Sequence, residues 1–234
     1  MGGALTESSR GAATDRAGAA TAIARVGILG GTFDPIHVAH VAVARAARRE
    51  LGLDEVLVIP ARQPPHKLGV AMAPALDRLA MVELALAGEE GLRASRIEID
   101  REGPSWTIDT VTSLLDAAEA AGRELDLTMI LSADAFAGLP TWHDPERLLR
   151  LVRVAVAPRP GTAPPSAKAL PARLRAAGPG ITILSGPNLD VSATEIRRRV
   201  AAGESIDGLV APAVARYIEA HHLYRQPASS EDAT

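Results

Sequence analysis

The sequence contains no cysteine, which excludes disulfide bonds, thiolate metal sites and a cysteine nucleophile. A chain without cysteine fits a reducing compartment, so we expect a cytoplasmic protein. Aromatic residues are scarce as well, at 3% of a chain in which 47% of the residues are hydrophobic. The core must therefore be built mainly from alanine, valine, leucine and isoleucine, and the two tryptophans deserve individual inspection.

Long apolar runs and a charge excess are also missing. No apolar run approaches the roughly 20 residues needed to cross a bilayer, so we expect no membrane partner. The 25 basic and 28 acidic side chains give a formal net charge of −3, and such a chain has no general attraction for nucleic acid. A phosphate-bearing ligand must therefore be bound by a local site. Composition leaves the oligomeric state open, and a homo-oligomer remains compatible with it.

The length of 234 residues suits one domain with a small appendage. We expect residues 1–24 to be a disordered leader, because they are rich in small residues and lack the apolar middle of a signal peptide. An α/β domain over residues 25–185 is expected next. A C-terminal helical part over residues 186–225 and a disordered tail over residues 226–234 complete the predicted organisation.

Strand patterns alternate with helix patterns along the chain. Short apolar runs predict strands at residues 26–29, 54–60, 127–131, 153–157 and 181–184, and the alternation over Arg96–Asp100 predicts a further, half-exposed strand. Helical spacing predicts helices at residues 37–51, 74–88, 107–121, 145–151, 192–202 and 212–222. The Pro- and Ala-rich stretch Gly161–Gly180 is expected to be a surface excursion. This order predicts an α/β fold with a doubly wound parallel sheet.

Three unusual loops directly follow predicted strands: Gly30–Pro35, Ser132–Asp134 and Gly186–Ser192. Ligands of doubly wound sheets bind at the carboxyl ends of the strands. We therefore expect these loops to converge on one edge of the sheet and to form a binding site there.

The segment GGTFDPIHVAH, residues 30–40, is the most informative part of the chain. Its two glycines follow a predicted buried strand and allow the backbone to turn tightly and approach a ligand. A helix is predicted to begin near His37, so its free N–H groups and its dipole favour an anion there. His37 and His40 are three residues apart and share a helical face. Together these features favour a polyphosphate site over a plain strand–turn–helix with structural histidines.

Other ligand sites fit this segment less well. It has neither the G-x-G-x-x-G pattern of a dinucleotide site nor the Gly-Lys-Ser/Thr ending of a P-loop. Zinc-protease helices space two histidines four residues apart and carry a glutamate between them. Here no glutamate lies between His37 and His40, so we expect no zinc and no other protein-held metal.

A second motif, DVSATEIR, occupies residues 190–197. Ser192 and Glu195 have the spacing of a capping box, which by itself only starts a helix. Thr194 and Arg197 add a hydroxyl and a cation near that helix N-terminus, and this combination offers a second anion site.

Both motifs resemble signatures of the nucleotidylyltransferase superfamily. GGTFDPIHVAH resembles G-G-T/S-F-D-P-x-H-x-G-H, with Ala39 at a position that is usually glycine. VSATEIR resembles I-S-S-T-x-I-R, with Ala193 in place of the second serine. The resemblance implies a Rossmann-like nucleotidylyltransferase fold with a small C-terminal helical part. It also implies that ATP is bound by Gly30, Gly31, Thr32, Phe33, Asp34, His37, His40, Asp134, Ser192, Thr194 and Arg197.

Three further segments resemble the bacterial nicotinate-nucleotide adenylyltransferases. PPHK at residues 64–67 matches their P-P-H-K loop. SWTIDT at residues 105–110 is similar to S-Y-T-x-D-T, and SAD at residues 132–134, followed by Leu139 and Trp142, is similar to G-A-D…L…W. The likeness extends over residues 26–224. It implies that the acceptor is bound by Lys67, Trp106, Thr107 and Trp142, with a tryptophan stacked on the pyridine ring, and that Asp134 lies near the adenosine ribose.

The implied activity is adenylyl transfer from ATP to nicotinate mononucleotide, which yields deamido-NAD and pyrophosphate. His37, His40 and Arg197 would stabilise charge on the reacting phosphates, and Mg²⁺ would accompany the ATP, held largely by phosphate and water oxygens. Two alternatives stay open: a related enzyme with nicotinamide mononucleotide or phosphopantetheine as acceptor, and a non-catalytic nucleotide-binding sensor. The intact histidine pair argues against the sensor.

Overall fold

The computed structural model describes residues 23–64, 72–158, 166–178, 180–187 and 189–225. Within these ranges six strands form one parallel sheet in the order β3-β2-β1-β4-β5-β6. The strands are β1 (Ala24–Gly31), β2 (Glu55–Pro60), β3 (Leu92–Ala94), β4 (Leu125–Ser132), β5 (Arg153–Ala157) and β6 (Ile181–Ile183). The order reverses between β1 and β4, and such a reversal opens a crevice at the carboxyl ends of the strands.

Helices connect the strands and cover the sheet. They are α1 (Val38–Leu51), α2 (Ala75–Leu86), α3 (Thr107–Ala120), α4 (Ala133–Gly138), α5 (Pro145–Leu151), α6 (Ala172–Ala177), α7 (Ala193–Ala201) and α8 (Pro212–Ala220). One apolar cluster joins α1, α2, α7 and α8 to one face of the sheet, and a second joins α3, α5 and α6 to the other. The C-terminal helices α7 and α8 thus share a core with α1 and α2.

The alternation of side chains along β2 shows how both faces are buried. Val56 and Val58 belong to the cluster on one face, whereas Leu57 and Ile59 belong to the cluster on the other. A strand buried on both faces needs a continuous apolar run, as β2 has. The predicted doubly wound parallel sheet is confirmed.

The strand predicted over Arg96–Asp100 is wrong. The strand at that edge is β3, which ends at Ala94 and pairs with β2 from Val56↔Leu92 to Val58↔Ala94. After β3 the chain turns, and the backbone N–H of Asp100 donates to the carbonyl of Arg96 at 2.9 Å. The neighbouring residues Glu98 and Ile99 are both buried, which an alternating strand with one exposed face would not allow.

The stretch Gly161–Gly180, expected to be a surface excursion, is largely exposed where the structure describes it, but it contains helices that were not predicted. A short 3-10 helix at Ala167–Ala169 and helix α6 occupy this stretch. Leu170 and Leu174 are buried in the second cluster, so the segment contributes to the core. Helix α4 was missed as well: the hydroxyl of Ser132 caps it by accepting from the backbone N–H of Ala135 at 3.2 Å.

Some predicted features lie outside the described residues. They include the tail over residues 226–234, most of the leader over residues 1–24, and Lys67 with its neighbours at residues 65–71. None of the helices in the described ranges is long and apolar enough to cross a membrane.

Candidate active site

The loop after β1 depends on a close approach between Gly31 and Phe33. A Cβ atom at Gly31 would lie 2.9 Å from the Phe33 ring, closer than real Cβ contacts allow. Phe33 adopts a left-handed backbone with φ of 50° and its ring is buried. The second glycine of the motif is therefore required for the ring of Phe33 to fold back beneath the loop.

His37 and His40 form a stacked pair at the start of α1. His37 is the N-cap residue of this helix, and the two ring centroids are 3.6 Å apart with an interplanar angle of 25°. The edge of Phe33 packs against His40 at a centroid distance of 5.0 Å. The backbone N–H of His37 donates to Nδ1 of His40 at 3.2 Å. A neutral His40 ring must therefore carry its proton on Nε2, where it serves as a donor.

Burial determines the charge of this pair. It lowers the pKa of His37 to about 4. The pKa of His40 is lowered well below its usual value, first by burial and then by the neighbouring His37. Without a ligand both rings are neutral at pH 7, so each supplies one N–H donor and no net charge. Nδ1 of His37 is buried without a partner among the described atoms.

Asp34 joins the first motif to the end of the chain. Its carboxylate is 4% exposed, and Oδ1 accepts from the backbone N–H of Ala73 at 3.2 Å and from the hydroxyl of Tyr224 at 2.8 Å. Its backbone carbonyl accepts from Nη1 of Arg197 at 2.7 Å. These contacts fix Arg197 against the loop, so the two sequence motifs meet directly.

The second motif starts α7 as expected, with one correction. The hydroxyl of Ser192 accepts from the backbone N–H of Glu195 at 3.2 Å, but the carboxylate of Glu195 binds Arg198 and Arg199 at 2.9 and 2.8 Å. The predicted capping box is therefore only half formed, because two adjacent guanidinium groups outcompete a backbone N–H for this carboxylate. Thr194 accepts from Nη2 of Arg197 at a long 3.4 Å.

A cavity of about 320 Å³, here called the histidine cavity, lies between the two motifs. The three loops expected to converge all contribute to it. The predicted ATP-binding residues among its lining are Thr32, Phe33, Asp34, His37, His40, Asp134, Ser192 and Arg197. Of the other predicted ATP-binding residues, Gly30 and Gly31 line a neighbouring cavity, and Thr194 lines neither of the two.

That neighbouring cavity, of about 160 Å³, is here called the tryptophan cavity. It shares Thr32 with the histidine cavity. Its lining consists of apolar side chains from β1, β2 and β4 together with Gly30, Gly31, Thr32, Ala61, Pro64, Glu98, Ser105, Thr107, Thr110 and Trp142. Trp142 and Thr107, both predicted to bind the acceptor, therefore line one small, largely apolar space.

Trp106 is placed differently. It is not among the residues that line the tryptophan cavity, and its ring packs against His143 at a centroid distance of 4.9 Å. A larger surface groove of about 920 Å³ lies between α7 and α8. It contains none of the predicted site residues, so size alone does not identify the site.

Arg78 is a site residue that sequence reasoning missed. It is only 1% exposed, and its guanidinium donates to four backbone carbonyls: Ala73 at 3.0 Å, Thr32 at 2.7 Å, Ala61 at 2.6 Å and Arg62 at 3.2 Å. It thereby ties α2 to the loops after β1 and β2. The sequence did carry one indication, since Arg78 shares the apolar face of α2 with Met81, Val82 and Ala85.

Glu98 is the second residue that was missed. It is 7% exposed and accepts from the hydroxyl of Thr110 at 2.7 Å and from that of Ser105. Burial, the largest influence, raises the pKa of its carboxyl group. Its burial was not expected, because the sequence pattern placed it on the exposed face of a half-exposed strand.

Comparison with known proteins agrees with this geometry. A family model described as cytidylyltransferase-like matches residues 28–199. A probable nicotinate-nucleotide adenylyltransferase of Roseiflexus sp. is 48% identical over 86% of this chain and 98% of its own length. Proteins of the same name from Chromobacterium violaceum and Dehalococcoides mccartyi are 44% and 40% identical, each over 86% of this chain and over 99% and 98% of their own lengths.

Solved structures share the fold. The Plasmodium falciparum nicotinic acid mononucleotide adenylyltransferase complexed with NaAD matches with a TM-score of 0.68 and 17% identity, over 86% of this chain and 97% of that one. A putative nicotinate-nucleotide adenylyltransferase from Vibrio parahaemolyticus gives a TM-score of 0.62 at 16% identity, over 88% and 98% of the two chains. The fold rests on these structures and the family on the closer sequence relatives. The chain belongs to the nicotinate-nucleotide adenylyltransferase family.

Proposed function

We propose that this protein transfers the adenylyl group of ATP to nicotinate mononucleotide and forms deamido-NAD and pyrophosphate. The observation that carries the proposal is the pair of cavities that meet at Thr32. One is lined by hydrogen-bond donors suited to phosphates, and the other is a small apolar space with a tryptophan. A reaction that joins ATP to a pyridine mononucleotide needs both, side by side. The relatives at 40–48% identity carry the name of this activity.

The histidine cavity would hold the triphosphate of ATP. The start of α1 borders this cavity, so the positive end of the helix dipole favours an anion there, and the neutral rings of His37 and His40 supply N–H donors. Arg197, held by the carbonyl of Asp34, would supply a fixed positive charge. A bound polyphosphate would in turn raise the pKa of the imidazoles, because it favours their protonated form.

The tryptophan cavity would hold the pyridine ring of the acceptor. Trp142 offers an aromatic face for stacking, which is worth about 1–3 kcal/mol per ring in comparable nucleotide sites. Thr107 lies at the first turn of α3, where backbone N–H groups and the helix dipole favour the acid group of nicotinate. The acid accepts such bonds with a full negative charge, which an amide lacks.

The chemical step would be a single in-line displacement. An oxygen of the acceptor 5′-phosphate forms a bond to the α-phosphorus of ATP, while the bond from that phosphorus to the oxygen bridging to the β-phosphate breaks. Pyrophosphate leaves with those electrons. The nucleophile is already anionic at neutral pH, so catalysis consists of positioning and charge stabilisation.

We propose Mg²⁺ as the companion of ATP. No group of three or more histidine, aspartate or glutamate side chains that could hold a metal occurs in the described part of the chain. Phosphate and water oxygens would then supply most of its ligands, as Mg²⁺ commonly prefers, and the ion would neutralise charge on the leaving pyrophosphate. Because ATP and pyridine mononucleotides are cytoplasmic metabolites, we also place the reaction in the cytoplasm.

Pyrophosphate release from Mg·ATP, measured in parallel with several acceptors, tests the proposal. We expect kcat/KM for nicotinate mononucleotide to exceed that for nicotinamide mononucleotide by at least ~10-fold, or about 1.4 kcal/mol. Phosphopantetheine should give no release. Equal rates with both pyridine nucleotides would contradict the choice of acceptor but not the chemistry. ATP binding without release from any acceptor would instead favour a nucleotide sensor.

A further inference from the structure

Glu98 stands apart from the other residues of the tryptophan cavity. Among the described residues it is the only ionisable side chain in a lining that is otherwise apolar, hydroxyl-bearing or aromatic. An ionised carboxylate is costly to bury unless it is hydrogen-bonded or paired with a cation. Its presence here requires either a structural or a ligand-binding explanation.

The hydrogen bonds around Glu98 favour a carboxylate. Nη2 of Arg101 donates to the hydroxyl of Thr110 at 3.0 Å, and that hydroxyl donates to Oε1 of Glu98 at 2.7 Å. On the other side, the backbone N–H of Gln63 donates to the hydroxyl of Ser105 at 3.3 Å, which bonds to Glu98. Both chains of donors end at this carboxylate, the acceptor-only group of the network.

These donors do not fully offset the burial. The pKa of Glu98 remains raised, with burial as the largest cause, although the two hydroxyls and Arg101 oppose it. Negative charge in this cavity is therefore only partly compensated in the unliganded protein. A cationic group that entered the cavity would be stabilised by it.

The acceptor of the proposed reaction has such a group. The ring nitrogen of nicotinate mononucleotide is bonded to ribose, so the ring is a pyridinium cation. We propose that Glu98 is the counter-charge for this ring. Trp142 complements it, because the face of an indole attracts cations. This inference rests on the proposed function, since it requires the acceptor ring to enter the tryptophan cavity.

The cavity then matches the ring as a zwitterion. The N-terminal turn of α3, at Thr107, favours the negative acid group, while Glu98 faces the positive ring. The negative acid group and the positive ring thus each meet the opposite charge within a cavity of about 160 Å³. Glu98 would distinguish a pyridinium from a neutral ring of nearly the same shape.

This role is tested by comparing two ligands that differ in the charge of the pyridine ring. The binding of nicotinate mononucleotide and of its 1,4-dihydro form, in which the ring has no charge but the acid and phosphate groups remain, is measured by calorimetry with wild type and with Glu98→Gln. We expect the variant to weaken the pyridinium form about 10-fold and the dihydro form less than about 2-fold, with ATP affinity unchanged. Equal weakening of both forms, or no weakening of either, would overturn the proposal.

Two further variants separate charge from structure. Glu98→Asp keeps the charge, so the preference for the pyridinium form should persist, and it remains informative if Glu98→Gln does not fold. Thr110→Val removes one donor that favours the carboxylate, so the preference should weaken in this variant and recover as the pH is raised. Loss of the preference in Glu98→Asp, with its fold intact by circular dichroism, would assign Glu98 a structural role. Failure of wild type to release pyrophosphate would contradict the proposed function separately.

Discussion

The histidine cavity and the tryptophan cavity share Thr32, yet the polar and charged side chains that line them differ. In the first, burial keeps two imidazoles neutral, so they present N–H donors without charge, and the charged side chains of the lining are Arg197, Asp34, Asp134 and Asp190. The second is mainly apolar and contains one carboxylate, Glu98. We infer that a polyanion is bound mainly by oriented N–H dipoles, whereas a flat ring is bound by an aromatic face and one opposing charge.

The largest expected effect concerns Arg78, which holds the wall common to both cavities. Arg78→Met should lower the free energy of unfolding by about 3–5 kcal/mol, because four buried or partly buried backbone carbonyls would lose their donor. Denaturant unfolding at pH 7 measures the effect. Arg93→Met is the matched control: Arg93 pairs with Glu55 on the surface with its side chain 66% exposed, and such a pair is worth about 0–1 kcal/mol. Similar losses in both variants would contradict the role given to Arg78.

Arg78 also shows where prediction from sequence ends. The glycine turn, the histidine pair and the Ser192 cap were predictable because each depends on residues a few positions apart. Arg78 instead binds carbonyls of Thr32 and Ala61, which are 46 and 17 positions away. Its role follows from the way α2 packs onto β1 and β2, which a local pattern does not contain.

The burial of Glu98 in the site was not predicted from the sequence, for a related reason. The segment R-I-E-I-D has the alternation of a half-exposed strand, but Leu92–Ala94 already occupies the sheet edge beside β2. The chain beyond it folds inward, so that Glu98 meets Thr110 of α3. Tertiary packing overrode a valid local pattern. The doubly wound parallel sheet, by contrast, was predictable from the alternation of strands and helices, which is a property of the whole chain.

The next largest effect is expected on kcat, from a substitution in the histidine cavity. His37→Ala should lower kcat by roughly 10²-fold, the scale seen when one transition-state donor is removed, and should change ATP affinity less. Steady-state kinetics with both substrates varied measures the separation. His221→Ala is the matched control, since His221 stacks on Tyr217 at 4.0 Å and lines neither cavity. Near wild-type kcat in His37→Ala would reduce His37 to a structural residue.

The neutrality of the histidine pair predicts an acid sensitivity. The pKa of His37 is about 4 in the folded protein, below the ordinary histidine value of 6.5, so the unfolded chain binds the proton first as pH falls. Unfolding free energy should therefore be unaffected above pH 6.5 and should decline from there towards pH 4, by about 2 kcal/mol at pH 5.

Denaturant unfolding at pH 7, 6 and 5 measures this decline, and His37→Gln should flatten it in part. A non-hydrolysable ATP analogue should also reduce it, because bound phosphates favour the imidazolium. A steeper decline in the presence of the analogue would mean that the phosphates lie away from the histidines.

The smallest effect compares the two tryptophans. Trp142→Ala should raise KM for nicotinate mononucleotide about 10-fold, towards the lower end of the roughly 1–3 kcal/mol assigned to stacking on one ring, and should leave KM for ATP nearly unchanged. Trp106→Ala provides the internal comparison, since Trp106 contacts His143 and does not line the tryptophan cavity. It was assigned to the acceptor by resemblance alone, and the geometry predicts a smaller change in acceptor KM. Thermal unfolding of both variants separates packing from binding: Trp142→Ala should lose more in acceptor KM than in stability, and Trp106→Ala the reverse. If Trp106→Ala raised the acceptor KM more than Trp142→Ala, the pyridine ring would have to bind near His143 and not in the tryptophan cavity.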